Sequence, residues 1–441
     1  MGRPNLFVVV STGQPVANLP PVLENAVPGD FVYWIESRDA RQKKWTARPR
    51  ELLEEFGLVT AGTLQVANIN DPASLSAALK EFVDSAIGQY DRIFYVANGG
   101  TKLTPVGVLL GLQPLAPELL YGEEAPAQYV HYPSSFTDAP HIRQYEWHGL
   151  DLPEIMRVKG YTVSPGKPGV KIWPTVPPVE ILSERYGTDE PHTYDLHDTH
   201  HVRAGIKPGE ESPPYEMLPT LVRGQFNGWQ DYMLNFRRRE AIHPELFKTV
   251  YKQTLSLDRK ARQEIAAKGV SKAAAPLGPS LENAVAARVH RWLNQTQHPA
   301  VKSAWFNVVV ARMQTQDVHD IEFDILLVLR NGILIHLECK SADVDVRDLD
   351  ARLYRLREAS SSLAELVIVL PLFTQQGAKP WCQSLQSAQA TLASRGWKVI
   401  PFTIPGQPTR FTEALEAGSE STECPSFEDS LENVLSRYRP G

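Results

Sequence analysis

Asp324, Glu338 and Lys340 fall within one short stretch, EFDILLVLRNGILIHLECK, which runs from Glu322 to Lys340. Carboxylates that share a site repel each other unless something neutralises them, and a divalent cation is the usual way to do so. Oxygen ligands of this kind suit Mg2+ or Mn2+. A lysine beside them can orient a metal-bound water or stabilise charge growing on a phosphate. The chemistry these residue types allow is metal-dependent phosphodiester hydrolysis. The same side chains also fit strand-end charges in a solvated hairpin, and the elements that hold them separate the two readings.

Asn331-Gly332 marks a hairpin turn with two open connections. A two-residue loop sets Ile325 against Glu338 and Asp324 against Cys339, so that every pair mixes faces. A three-residue loop, Arg330 to Gly332 with Gly332 in the left-handed conformation of a bulge, gives a different pattern. Phe323, Ile325, Leu327 and Leu329 then join Cys339, Leu337, Ile335 and Ile333 on one apolar side. The other side pairs Asp324 with Glu338 and Glu322 with Lys340, and sets His336 opposite Leu326. A slip of one residue turns every side chain to the wrong face, so the register with one wholly apolar side is expected.

Upstream, SLENAVAARVHRWL places Leu281, Val285, Val289 and Trp292 on one helical stripe, with Ser280 as N-cap and Glu282 in the first turn. A carboxylate there also suits the helix dipole without any metal. The strand SAWFNVVVARM, the hairpin, the helical pattern DVRDLDARLYRLREASSSL and the strand LVIVLPL follow. This order of elements over residues 278–405 resembles the PD-(D/E)xK nuclease superfamily. The resemblance implies that Asp324 and Glu338 ligate a metal with the Cys339 carbonyl, that Lys340 assists the attacking water, and that Glu282 is an auxiliary acid. Phe323 stands where that family often has proline, and Tyr354 and Arg355 are within reach of the cleft or pack on the helix face.

At the other end of the chain, NLFVVVST, DFVYWIES, TLQVANIN and RIFYVANGG alternate with amphipathic stretches, the pattern of a Rossmann-like parallel sheet covered on both faces. The runs VGVLLGL and LPEIMRVKGYTV are expected to complete that sheet and a lateral hairpin. The strand RIFYVA ends in Asn98, Gly99, Gly100, Thr101 and Lys102, where glycine amides and a following helix N-terminus form an anion cradle that the lysine reinforces. The GxxxxGK[ST] spacing of a P-loop is missing. The first strand ends in Ser11, Thr12, Gly13 and Gln14, with Asn18 shortly after, so two polar loops flank the switch point of the sheet.

GGTK after the fourth strand together with a restriction-like nuclease pattern is similar to the CARF-domain ancillary nucleases of type III CRISPR systems, and the likeness spans both ends of the chain. It implies an endonuclease of antiviral defence, acting on DNA and/or RNA, that is a homodimer allosterically activated by cyclic tetra-adenylate held at Ser11 to Gln14, Asn18 and Asn98 to Lys102. Asn98 stands where many relatives have threonine. A restriction or repair nuclease with another N-terminal ligand, and a non-catalytic nucleotide-responsive regulator, fit the same motifs.

The length, 441 residues, calls for two or three domains, placed at 1–174, 175–277 and 278–441. The middle one is an irregular, Pro-rich connector followed by a helical region. It holds HTYDLHDTHH, from His192 to His201, read as a solvated segment rather than a metal site, and Arg237 to Arg239, which fit a nucleic-acid contact, a solvated helix face or a dimer contact. No apolar run approaches the roughly 20 residues of a membrane span, and the start lacks a signal-peptide layout, so a cytoplasmic protein is expected. Cys339, Cys382 and Cys424 form no CxxC pair, which excludes a disulfide framework or zinc ribbon. A net charge of −6 argues against nonspecific coating of nucleic acid but leaves room for a local basic cleft.

Overall fold

The computed structural model describes residues 2–174 apart from 135, 137, 147–149 and 166–168, together with 277–313, 321–339, 346–371, 397–402, 409–411, 422–424 and 426–441. Lys340, the His192 to His201 cluster and Arg237 to Arg239 lie outside the described residues.

Strand β1 (Leu6–Val10) reads LFVVV and is buried along its whole length, as a central parallel strand covered on both faces requires. It is flanked in parallel by β2 (Phe31–Ser37) and β4 (Ile93–Val96). Outside these lie β3 (Val59–Val66) and β5 (Glu118–Gly122), also parallel, and then β6 (Gln128–Tyr132) and β7 (His141–Gln144), antiparallel. The resulting order is β3-β2-β1-β4-β5-β6-β7. The chain runs outward from β1 on one side and returns to β4 for the other, so the carboxyl ends of β1 and β4 border the switch point. The α/β class with a parallel N-terminal sheet expected from the sequence is what the chain adopts.

The helices of this half are α1 (Leu19–Asn25), α2 (Arg38–Gln42), α3 (Ala47–Glu55), α4 (Pro72–Ala78), α5 (Lys80–Ala86), α6 (Thr104–Leu112) and α7 (Leu152–Lys159). Leu75, Val83, Val108 and Leu112 from α4, α5 and α6 pack on Leu6, Val8 and Val10. The alternate residues Phe7 and Val9 face α1, α3 and α7 in a cluster that also takes in Leu326, Val328 and Leu334 of the second sheet. Apolar burial at ~25 cal/mol per Å2 therefore acts across the junction of the two halves and holds them together.

The second sheet is seven-stranded. Strands β10 (Val301–Arg312), β11 (Ile321–Leu329) and β12 (Leu334–Cys339) are antiparallel, and β13 (Glu365–Pro371) and β14 (Lys398–Phe402) continue in parallel. Its other edge corrects an expectation. VGVLLGL lies in helix α6 and LPEIMRVK forms helix α7, so neither completes the first sheet, and nor does Tyr161–Val163 (β8); it and β9 (Val170–Trp173) pair with β10. Asp151 explains the choice: it caps α7 with Glu154 in a capping box and also accepts from Trp305 Nε1 on β10 at 3.0 Å and Lys171 Nζ on β9 at 2.5 Å.

Helices α8 (Leu277–Thr296), α9 (Val346–Ala359) and α10 (Phe427–Ser436) cover this sheet. Val285, Val289 and Trp292 form the expected buried stripe. Helix α8 starts at Leu277, upstream of Ser280, so Ser280 is not its N-cap. Pro279 sits in the first turn, where a missing N–H is tolerated. Glu282 consequently lies beyond the first turn, farther from the helix dipole than expected.

His298, between α8 and β10, is enclosed against Trp292, with Glu432 Oε1 3.7 Å away. Burial, reinforced by Arg439, pushes its pKa down to about 4. A depressed folded pKa means that the unfolded chain binds more protons between about 4 and 6.5, so stability is full above that window and falls as pH drops through it, by up to about 3 kcal/mol. Urea melts from pH 7 to pH 4.5 are expected to show this loss, and His298→Gln to flatten it. Equal slopes in both proteins would remove His298 as the cause.

The hairpin adopts the three-residue loop. Ile325 opposes Leu337, Leu326 opposes His336 and Leu327 opposes Ile335. Leu329 N–H donates to Ile333 O and Gly332 N–H to Leu329 O, both at 2.9 Å, with Gly332 at φ 80° as the bulge demands. Phe323 departs from its expected side. It packs with Leu326 and Val328, while Ile325, Leu327 and Cys339 pack together on the opposite face. The cause lies on β10, where Asn307 has φ 52° between the pairs Phe306 with Ile325 and Val308 with Phe323. A left-handed residue inside a strand breaks the two-residue alternation, and both strands change face there.

Candidate functional site

The change of face falls at Asp324. Its N–H donates to His336 Nε2 at 3.2 Å, and its Oδ2 accepts the Cys339 N–H at 2.7 Å. Side-chain bonds thus replace the regular ladder, whose recorded pairs end at Ile325 with Leu337. Glu338 is 1% exposed and His336 0%. Ligand atoms of Asp324, His336 and Glu338 all lie within 4.8 Å of one another. Glu338 Oε2 is 3.4 Å from His336 Nε2 and accepts from Arg352 Nη1 of α9 at 2.8 Å.

Loss of hydration, then the charge of Glu338, then that of Glu282 raise the Asp324 pKa well above the ordinary carboxylate value, and the Cys339 N–H and Arg352 pull it back. The charge of Glu282 on α8 therefore acts on Asp324 in the hairpin. Carboxylates held this close repel one another, a condition that a divalent cation relieves. The donor set fits such an ion.

Tyr354 and Arg355 point elsewhere: both are exposed. The cleft residues that sequence reasoning missed are Arg352 and His336. Arg352 lies three residues after the buried Leu349 and four before the buried Leu356, so the helical period places it on the inward face. His336 shares a strand face with Glu338 by the period of two.

At the carboxyl ends of β1 and β4, Asn98, Gly99, Gly100, Thr101 and Lys102 all line a cavity of about 500 Å3. A Cβ on Gly99 would stand 2.4 Å from Val10 O, so only glycine lets the two loops approach this closely. The Asn98 side chain donates to Gly122 O at 2.6 Å and accepts from Gly122 N–H at 2.8 Å, clamping β4 to β5. Thr101 Oγ1 donates to Asn70 Oδ1 at 2.7 Å. Lys102 is exposed.

Ser11, Thr12, Gly13, Gln14 and Asn18 do not line this cavity; their bonds tie the β1 loop to neighbouring elements. Ser11 Oγ accepts from Thr46 Oγ1 at 2.8 Å, and Asn18 Nδ2 donates to Val10 O at 2.9 Å. Thr12 Oγ1 accepts the Gln14 N–H at 3.2 Å, Gly13 O accepts from Lys159 Nζ at 3.0 Å, and Gln14 Oε1 accepts the Ser362 N–H at 3.1 Å.

The cavity has a wall from the second sheet. Asn331 and Ile333, in the turn of the β11–β12 hairpin, line it, and Asn331 Nδ2 donates to Glu124 O at 2.9 Å. Gly332 sits against Val16, leaving no room for a Cβ. One hairpin therefore touches the N-terminal cavity with its turn and presents Asp324 and Glu338 at its open end.

No protein-family model matches the sequence, and no curated protein matches it. Solved structures do. Protein VC1899 from Vibrio cholerae has a TM-score of 0.54 at 14% identity over 90% of this chain and 94% of that one. Can2 from Sulfobacillus thermosulfidooxidans, solved in complex with cyclic tetra-adenylate, has a TM-score of 0.51 at 13% identity over 90% of this chain and 95% of that one. A type III CRISPR defence DNA nuclease activated by cyclic oligoadenylate has a TM-score of 0.47 at 15% identity, over 99% of this chain and 52% of that one. At these identities the likeness to VC1899 and Can2 is one of fold, and it extends over nearly the whole of each chain. Among the described residues no helix is long and apolar enough to cross a membrane.

Proposed function

We propose that this chain is a metal-dependent endonuclease of CRISPR antiviral defence, switched on by cyclic tetra-adenylate and hydrolysing phosphodiester bonds in DNA, RNA or both. The observation that carries the reading is the meeting of Asp324 and Glu338 at the open end of a hairpin whose turn lines the Asn98 to Lys102 cavity, with the charge of Glu282 acting on Asp324. The fold shared with Can2, which binds cyclic tetra-adenylate, supports the choice of ligand.

Asp324 and Glu338, with the Cys339 carbonyl, would hold Mn2+ or Mg2+. The bound ion supplies a Lewis acid for a phosphate oxygen and lowers the pKa of water. Arg352 keeps the Glu338 carboxylate oriented. Glu282 adds negative charge that draws a cation to Asp324. Lys340, two residues after Glu338 in the sequence, is assigned the placing of the attacking water.

In the N-terminal half, the Gly99 and Gly100 amides and the Lys102 ammonium form the phosphate cradle. Leu103, Val106 and Leu110 form an apolar stripe at helical spacing beside it, 52%, 47% and 55% exposed. A second copy of the chain across a two-fold axis covers this stripe and matches the symmetry of a cyclic tetranucleotide, so the active form is a homodimer.

The test is titration of cyclic tetra-adenylate against cleavage of labelled RNA and DNA in Mn2+ and in Mg2+. Cleavage that requires both the metal and the nucleotide is expected. Metal-dependent cleavage indifferent to the nucleotide would point to another N-terminal ligand, and no cleavage of either polymer would defeat the enzyme reading.

A further inference from the structure

We propose that His336 is a third protein ligand of the metal centre, its Nε2 joining the carboxylates of Asp324 and Glu338, and that this nitrogen biases the site toward Mn2+ over Mg2+. The inference rests on the metal-dependent reading above and deepens it, because neither the Glu-X-Lys spacing nor the paired acids call for a histidine.

His336 is an anomaly on its own strand face. Its neighbours there toward the turn are Leu334 on β12 and Leu326 and Val328 on β11, all fully buried, and the imidazole is 0% exposed among them. Burying a polar ring is unfavourable unless its nitrogens are used. The Phe323 ring stands edge-on to it at 5.0 Å and an interplanar angle of 85°, which fixes the plane of the imidazole. Phe323 can do this only because the strand changes face at Asp324.

With the ring so held, Nε2 faces the carboxylates. It accepts the Asp324 N–H at 3.2 Å and lies 3.4 Å from Glu338 Oε2. An accepting Nε2 puts the ring proton on Nδ1, the tautomer that ligation needs, and its one lone pair, held by the Asp324 N–H, sits beside the acids and must turn from that N–H to an ion. The accepted hydrogen bond is long, and a divalent ion is a stronger partner for that lone pair.

Ligand bonds of about 2.1 Å require ligand atoms within about 4.2 Å of one another, and these atoms, all within 4.8 Å of one another, are close enough to gather round one ion. Mg2+ prefers an all-oxygen, near-octahedral set and gives up water reluctantly, whereas imidazole is a ligand for first-row transition metals. A set of two carboxylates and one imidazole therefore favours Mn2+.

The experiment is pulsed electron paramagnetic resonance of the full-length protein loaded with Mn2+, together with metal-binding isotherms. Wild-type protein is expected to show the 14N modulation of a directly bound imidazole. In His336→Gln that modulation disappears, Mn2+ affinity falls by about tenfold or more, and Mg2+ affinity falls by less than about threefold. The wild-type spectrum needs no variant, so a variant that fails to fold does not protect the inference. Mn2+ bound without 14N modulation in a protein that still cleaves removes His336 from the metal and leaves the nuclease reading standing. Modulation that persists in a folded His336→Gln has the same effect, whereas wild-type protein that binds no Mn2+ defeats both.

Discussion

Glu338→Gln is expected to lower metal-dependent cleavage by at least about a hundredfold while cyclic tetra-adenylate binding stays within about twofold of wild type. Glutamine matches the shape of the side chain, which is 1% exposed, so packing survives and the charge alone is lost. That charge is also the largest neighbouring influence raising the Asp324 pKa. The variant therefore loses a metal ligand and at the same time weakens the negative field that draws the ion to Asp324. Cleavage and nucleotide binding must be measured on the same preparation. Undiminished cleavage in Glu338→Gln would end the catalytic assignment; equal loss of both properties would mean a folding defect, which Asp324→Asn then checks independently.

The second large effect belongs to the nucleotide cradle. Lys102 is exposed beside the cavity, so its removal has little structural consequence. A charge-assisted bond to phosphate contributes about 1.5–3 kcal/mol, and Lys102→Ala should weaken cyclic tetra-adenylate binding by roughly ten- to a hundredfold. The concentration needed for half-maximal cleavage shifts by the same factor, and the cleavage rate at saturation is restored. Gly100→Val is more severe. Gly100 has φ +88° and its Cβ would meet Thr104 Oγ1 at 2.5 Å, so the loop itself must change and saturation should not rescue it. If the Lys102→Ala titration overlays wild type, the phosphates sit elsewhere.

Much of this was legible from residues alone, because the relevant signals were local. The hairpin register could be read from Asn331-Gly332 and the apolar pattern, since only one loop length keeps like faces together. What escaped depended on neighbours distant in sequence. Phe323 changes side because of Asn307 on another strand, and no periodicity within β11 announces that. The strand at Tyr161 is too short to carry a pattern of its own, and the clamp at Asp151 assigns it to the second sheet. Arg352 is legible from the Leu349 and Leu356 period, whereas Tyr354 and Arg355, the helix residues expected within reach of the cleft, are turned to solvent. Ser280 misled because a capping residue was expected where Pro279 already sits inside the first turn.

The hairpin that joins the cavity to the acids also separates two distances that are usually confounded. Along the backbone, Lys102 and Glu338 are far apart and residues 175–276 lie between them. Through the hairpin, the cavity wall at Asn331 and the carboxylate at Glu338 belong to one strand pair only about 23 Å long, at ~3.3 Å per residue. On the proposed reading, nucleotide and metal communicate by short-range mechanics inside one strand pair. A single methyl added at the Gly332 turn, pressed against Val16, would jam that route.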